Sequence, residues 1–204
     1  MSDPSATINP RQKEGIITTV VGIQGNGYAV LAADSQITED NLRTISLGTP
    51  KIVQVGYVAI GITGDTRAGD ILTYNWKPPT YRGEDPVQFM GKKMIPSIIN
   101  AFNKNTYDWA NVDKKDGGFD YLISFDSNLF HIACDMSFIQ NELKVYGIGS
   151  GGQFATGYLY SLDYQGMTED KAVEIAQKAV EISSQLDINT CPPIQIAIQK
   201  RKGK

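Results

Sequence analysis

The chain has 204 residues, of which 41% are hydrophobic and 20% charged, and its formal net charge is -3. This length fits one domain, or two small ones, with a sizeable core. The small negative charge gives no basic field for nucleic acid. Two cysteines, Cys134 and Cys191, are too few for a disulfide scaffold or a structural zinc site. They indicate a reducing, cytoplasmic location. No apolar run approaches the ~18 residues of a membrane span.

The first half of the chain predicts strands followed by helices. Residues 1–15 are polar and read as a leader ahead of the folded domain. β-Branched residues predict a strand over Ile16–Ile23, and the Asn-Gly turn signal precedes a returning strand, Tyr28–Ala33. A polar stretch, 35–50, leads to strands at 51–55 and 57–63. Capping residues predict helices from Thr66 and from Asp85-Pro86, the second kinked by Pro96. The second helix is expected to face the core with an apolar stripe of Val87, Met90, Met94, Ile98 and Phe102.

The second half repeats this order. Strands are predicted over 119–125, 129–135 and 143–148. A glycine turn, 149–152, leads into a helix that runs to about Leu162. Thr168 caps another helix, with Ala172, Ile175, Ala176, Ala179 and Ile182 on one face. A last strand is predicted over 194–198. Strands and helices thus come in blocks, which predicts an α+β fold, a four-layer αββα sandwich of two antiparallel sheets covered by helices.

The residue types limit the possible chemistry. The single histidine, His131, lies inside a predicted strand with no nucleophile elbow before it, so catalysis by a histidine base and a histidine-ligated metal site are both disfavoured. No metal or cofactor is expected. A free α-amino group is an alternative base, because its pKa of about 7.7–8.0 suits neutral pH. An N-terminal threonine would combine this base with a hydroxyl nucleophile, and Thr18-Thr19 follows the polar leader.

A set of short motifs, in order, resembles the proteasome β-subunit and HslV family of threonine peptidases, which are N-terminal-nucleophile (Ntn) hydrolases. The matching part begins with Thr18-Thr19-Val20-Val21-Gly22-Ile23 and continues to Asp34. The later matches are Thr38, Lys51, Thr63-Gly64, Gly149-Ser150-Gly151, the helix start at Thr168 and Asp187. The resemblance spans about residues 18–200. It implies a leader over 1–17, one Ntn-hydrolase domain over 18–200 and a basic tail over 201–204.

The resemblance also implies a role for each matching residue. Thr18 matches the nucleophile, Lys51 the lysine beside its hydroxyl, and Asp34 the carboxylate that orients this lysine. Gly64 matches the glycine whose N–H faces the oxyanion. Ser150 and Asp187 match the pair around the threonine amine. Thr190 keeps the hydroxyl of the serine in the family's Asp-x-x-Ser-Gly motif. Thr38 matches a residue that binds the substrate backbone by strand addition. Spacing favours Thr18 over Thr19, because Asp34 lies sixteen residues beyond Thr18 and a shift by one residue would reverse the side chain's face.

Three departures from the family pattern keep alternatives open. Ile17 precedes Thr18 where the family usually has glycine, Cys191-Pro192 replaces a flexible glycine, and the stretch from Asp34 to Lys51 is one residue longer than usual. We expect a threonine endopeptidase that acts inside a self-compartmentalising ring. A noncatalytic ring subunit of the same fold, or another Ntn amidohydrolase, is the alternative.

The expected partners follow from this resemblance. They are unfolded polypeptide substrates, further copies of the chain in stacked homo-oligomeric rings and an ATPase unfoldase. Neither nucleic acid nor a membrane is expected as a partner.

Overall fold

A computed structural model describes residues 18–39, 42–45, 48–111 and 118–201. The predicted leader and Ile16-Ile17 lie outside these residues. The strands are β1 (Thr19–Gln24), β2 (Tyr28–Ala33), β3 (Gln36–Glu39), β4 (Leu42–Ile45), β5 (Ile52–Val55), β6 (Val58–Gly64), β7 (Phe119–Phe125), β8 (Asn128–Ile132), β9 (Phe138–Ile139), β10 (Val145–Gly149) and β11 (Gln195–Lys200). The helices are α1 (Thr66–Asp70), α2 (Pro86–Phe89), α3 (Ile95–Lys104), α4 (Gly152–Tyr160) and α5 (Glu169–Leu186).

Two antiparallel sheets form the centre of the domain. One sheet has the strand order β10-β1-β2-β11 and the other has the order β5-β6-β7-β8-β9. Side chains alternate along each strand, and both faces of each sheet carry buried apolar residues. In β1, Val20 packs into the core between the sheets, whereas Val21 and Ile23 pack under helices.

Helices cover the outer face of each sheet. The α4–α5 pair packs on β1, β2 and β10, and the helices between β6 and β7 cover the other sheet. The predicted four-layer αββα sandwich is therefore confirmed. Thr168 caps α5, and its side chain accepts a hydrogen bond from the N–H of Lys171. The predicted face of α5 is buried as far as Ala179, but Val180 replaces Ile182 in the core because the stripe drifts around the helix.

Two helical segments contain π-helical turns. One is Ile71–Asn75, which continues α1, and the other is Met90–Met94, which joins α2 to α3 just before Pro96. Proline lacks an N–H and its ring crowds the preceding turn, so the π-helical turn just before Pro96 is where this helix departs from regular α-geometry. Val87, at the start of the predicted apolar stripe, is exposed.

The polar stretch 35–50 contains a hairpin that the sequence analysis did not predict. Strands β3 and β4 pair antiparallel, with Thr38 opposite Arg43. Because most of their residues are polar, the sequence lacks the alternating apolar pattern typical of a strand. The β-branched residues Ile37, Thr38 and Thr44 nevertheless flank the turn-forming pair Asp40-Asn41 in the sequence. A short Trp109–Asn111 3₁₀ helix and β9 were also not predicted.

Candidate active site

Thr18 immediately precedes β1, and alternation along the strand directs its side chain and that of Thr19 to different groups. The Thr18 hydroxyl donates to Oδ1 of Asp34, whereas Thr19 Oγ1 lies 2.7 Å from Thr190 Oγ1. Both threonines are fully buried. The structure therefore places Thr18, not Thr19, against the carboxylate, as the spacing predicted.

Asp34 follows β2 and is the acceptor around which the site is built. Three donors converge on its Oδ1, from the Thr18 hydroxyl, the Thr19 N–H at 3.0 Å and the Lys51 ammonium at 2.9 Å. Two backbone N–H groups, those of Gln36 and Cys191, donate to Oδ2 at 3.0 and 3.2 Å. A buried carboxylate is stable only when it is paired and hydrogen-bonded, and these five donors meet that need.

Lys51, just before β5, is buried together with its partner. Its side chain is 2% exposed and that of Asp34 is 0% exposed. Loss of hydration lowers the pKa of Lys51, and the Asp34 carboxylate opposes this change. The ammonium therefore gives up its proton more readily than a surface lysine does, and it contacts the same carboxylate oxygen as the Thr18 hydroxyl.

Gln195 of β11 fixes the backbone at Lys51. Its side-chain oxygen accepts from the N–H groups of Lys51 and Ile52 at 2.9 and 3.2 Å. This contact ties β5, an edge strand of one sheet, to β11, an edge strand of the other. Gln195 was not predicted from the sequence, where its signal is a polar residue inside an otherwise apolar predicted strand, 194–198.

Gly64 ends β6 in a conformation that only glycine adopts easily. Its φ is +85°, and a Cβ at this position would lie 1.8 Å from the carbonyl oxygen of Gly118. The following residue, Asp65, caps α1 by accepting from the N–H of Arg67 at 2.7 Å. The turn at Gly64 thus requires glycine on both conformational and steric grounds.

Ser150, Asp187 and Thr190 form a second hydrogen-bonded group. Asp187 ends α5, and its Oδ2 accepts from Ser150 Oγ at 2.6 Å and from Thr190 Oγ1 at 2.7 Å. Ser150 Oγ also lies 3.5 Å from the carbonyl oxygen of Thr18. The structure therefore brings all three predicted residues together, beside the start of β1.

Thr38 and His131 do not belong to this hydrogen-bonded group. Thr38 lies on β3, but its side chain is outside what the structure describes. His131 on β8 pairs with Asp120 on β7, with Nε2 and Oδ1 3.0 Å apart. In the described part of the chain, the hydrogen bonds of Thr18 go to Asp34 and Ser150 and not to this imidazole.

With this geometry established, comparison with known proteins identifies relatives. A sequence model of the family described as "Proteasome subunit" matches residues 121–199. The ATP-dependent protease subunit HslV of Borreliella burgdorferi (strain ZS7) is 28% identical over 178 residues, which cover 85% of this chain and 91% of that protein. Proteasome subunit beta 2 of Korarchaeum cryptofilum is 26% identical over 196 residues, covering 92% and 94%.

Solved structures share the fold. BPH of Thiobacillus denitrificans has a TM-score of 0.71 at 19% identity, covering 92% of this chain and all of that chain. HslV from Trypanosoma brucei has a TM-score of 0.62 at 21% identity, with 90% of this chain covered. At these identities the two structures support the fold.

The four-layer sandwich, with a threonine just before its first strand, is the fold expected of an Ntn hydrolase. Over most of its length the chain is similar to members of the proteasome β-subunit and HslV family. The HslV relatives are named as subunits of an ATP-dependent protease, in line with the expected threonine endopeptidase. No helix among the described residues is long and apolar enough to cross a bilayer.

Proposed function

We propose that removal of residues 1–17 frees the amine of Thr18, and that Thr18 then cleaves peptide bonds as an N-terminal nucleophile. One observation carries this proposal: the Thr18 hydroxyl and the Lys51 ammonium donate to the same buried oxygen of Asp34. A structural threonine at a strand end would not need a buried ion pair beside its hydroxyl.

In the proposed reaction, Thr18 Oγ forms a bond to the carbonyl carbon of the substrate, and its proton passes to the Thr18 amine, directly or through a water molecule. The carbonyl oxygen becomes an oxyanion that accepts from the N–H of Gly64. The C–N bond then breaks, and the leaving amine takes the proton from the Thr18 ammonium. Water hydrolyses the resulting ester by the reverse proton path, which restores Thr18.

The charged groups support these steps in different ways. Lys51 contacts the same Asp34 oxygen as the Thr18 hydroxyl, so this cation stabilises the negative charge that develops on Thr18 Oγ. Asp34 holds that cation in place. Ser150 uses its proton to bond Asp187 at 2.6 Å, which leaves its oxygen lone pairs available to accept from the freed amine.

The proposal extends to substrates, assembly and location. We propose that unfolded polypeptides bind by strand addition at Thr38 on β3, and that copies of the chain form stacked rings served by an ATPase unfoldase. The relatives include subunits of an ATP-dependent protease and of a proteasome, which supports this assembly. Both cysteines are free, which fits a cytoplasmic location.

Intact mass spectrometry of the purified full-length chain tests the nucleophile. We expect the wild type to lose residues 1–17, to cleave unfolded polypeptides and to react with an epoxyketone probe, whose two electrophilic carbons need both a hydroxyl and a free amine. Thr18→Ala should keep its full mass, cleave no polypeptide and not react with the probe. A wild type that keeps residues 1–17 and has no peptidase activity would reject the proposal.

Two departures in sequence favour a second candidate, a noncatalytic ring subunit. These are the β-branched Ile17 before Thr18, which resists the sharp turn of self-cleavage, and Cys191-Pro192 beside the site. A wild type that assembles normally but does not react with the probe would support this candidate. A monomer that hydrolyses small amides but not polypeptides would support a different Ntn amidohydrolase.

A further inference from the structure

Thr19, the neighbour of the proposed nucleophile, belongs to a chain of buried hydroxyl groups. Its Oγ1 lies 2.7 Å from Thr190 Oγ1, and Thr190 Oγ1 donates to Asp187 Oδ2 at 2.7 Å. Ser150 Oγ donates to the same Oδ2 at 2.6 Å. Thr19 and Thr190 are 0% and 1% exposed, so water does not compete for the bond between their hydroxyls.

Proton counting fixes the direction of this chain. A hydroxyl has one proton and an ionised carboxylate has none. The proton of Thr190 goes to Asp187, so Thr190 can only accept from Thr19. Thr19 is therefore the first donor, and the order runs from Thr19 through Thr190 to Asp187, which Ser150 reaches from the other side.

Thr19 also contacts the other half of the site through its backbone. Its N–H donates to Asp34 Oδ1 at 3.0 Å, and this oxygen also accepts from Thr18 and Lys51. Thr19 thus links the Asp34 group, which faces the Thr18 hydroxyl, to the Asp187 group, which is proposed to hold the Thr18 amine.

The space around the Thr19 hydroxyl is closely fitted. A Cβ at Gly151 would lie 2.1 Å from Thr19 Oγ1 and 2.9 Å from Thr190 Oγ1. Ser183 of α5 holds Gly151 by donating to its carbonyl oxygen at 2.9 Å. A side chain on residue 151 would displace both hydroxyls, so glycine at this position keeps the chain of bonds intact.

We infer that Thr19 is a positioning residue for the peptidase reaction, and that its hydroxyl fixes Thr190 and thereby the Asp187–Ser150 pair beside the Thr18 amine. This inference rests on the proposed function of Thr18. Thr19 does not touch the substrate, so it acts on turnover rather than on substrate binding. Its loss leaves Thr190 without a donor and free to turn away from Asp187.

Variants of the full-length chain test this inference. Thr19→Val keeps the shape and removes the hydroxyl, whereas Thr19→Ser keeps the hydroxyl. Thr190→Val and the double variant complete a cycle. Thr73→Val is the matched control, because it removes a half-buried hydroxyl, which donates to Gly69 at 2.9 Å, from a helix away from these bonds. Intact mass gives the loss of residues 1–17, and titration with the epoxyketone probe gives the active fraction to which kcat is normalised.

We expect Thr19→Val to lower kcat roughly tenfold while KM changes less than about twofold, since one hydrogen bond toward a charged group is lost. Thr19→Ser should restore most of kcat. The double variant should be about as slow as Thr190→Val alone, because both changes break one chain. The acidic limb of the kcat–pH profile should move to higher pH, because a less solvated Asp187 carboxylate raises the pKa of the amine. Thr73→Val should match the wild type in all these measurements.

Other outcomes separate the inference from the proposed function. A folded Thr19→Val chain that keeps residues 1–17, while Thr19→Ser loses them, supports the inference, because self-cleavage uses the same nucleophile. If the wild type is active, but the kcat of Thr19→Val stays within about twofold of it and the pH profile does not move, the inference alone is overturned. Additive effects of the two substitutions in the cycle also overturn it. An inactive, uncleaved wild type rejects the proposed function, and the inference fails with it.

Discussion

Asp34 and Lys51 form a buried ion pair in the site. Burial of both charges is costly, and it is offset by the contact at 2.9 Å together with four further donors to Asp34. Removal of one partner leaves the other charge unpaired in the core. This pair is therefore where a single substitution should affect activity, stability and pH dependence together.

Lys51→Met should abolish measurable peptidase activity and change how stability depends on pH. Because the folded-state pKa of Lys51 is lowered from 10.5, the unfolded chain holds more protons between the lowered value and 10.5. Over that window the wild type should gain stability relative to Lys51→Met as the pH rises. Urea unfolding of both proteins at several pH values between 7 and 10.5 measures this difference.

The matched control is Lys93→Met, which removes an exposed lysine from its pair with Glu84 at the protein surface. Surface pairs are screened by water and contribute little. We expect this variant to keep the activity of the wild type and the same pH dependence of stability. Parallel curves for the wild type and Lys51→Met across the window would contradict a lowered pKa at Lys51.

At the scale of elements, the end of β6 is the most constrained turn of the site. Gly64→Ala adds a methyl group 1.8 Å from the Gly118 carbonyl in a backbone with φ of +85°. We expect a loss of stability above about 2 kcal/mol. Activity should fall roughly 100-fold or more, because the N–H that faces the oxyanion moves. Thermal unfolding and peptidase assays measure the two effects.

Gly83→Ala separates steric contact from backbone strain. Gly83 has a φ of +88°, almost that of Gly64, but a Cβ there meets nothing within 4 Å. This variant should lose only about 1 kcal/mol and keep its activity. Equal losses in the two variants would show that the approach to Gly118 has no effect of its own.

Elements with strong local signals could be predicted from the sequence. Asp65, Asp85 and Thr168 cap helices as predicted, β1 follows its β-branched run, and β2 follows the Asn-Gly turn. The β3–β4 hairpin was missed because its residues are mostly polar, and Val87 was wrongly placed in the core because periodicity does not show where a helix first meets its sheet.

Parts of the site could be predicted only through resemblance. Spacing selected Thr18 and Asp34, and the structure joins them. No local pattern indicated that Gln195 holds Lys51, or that the Cys191 N–H completes the shell of Asp34, because these contacts link residues more than 140 positions apart. Such contacts depend on the way the two sheets pack, which local propensity does not encode.

At the scale of the whole molecule, the proposed function predicts a ring. Sedimentation of the wild type should give an assembly of many copies of the 22.3 kDa chain. Thr18→Ala should assemble in the same way, because its changed side chain lies in the interior of the domain. A wild type that sediments as a monomer would contradict the ring and favour an amidohydrolase with an open site.

The contact between Asp34 and the Cys191 N–H has a consequence for the time at which the protein becomes active. A polypeptide emerging from the ribosome contains Thr18 and Asp34 early, but it lacks Cys191, a donor to Asp34, until another 157 residues have been added. Under the proposed function, a nascent chain therefore cannot complete the site before that segment is synthesised. Peptidase activity is thereby delayed until the strands β1 to β10 have been made.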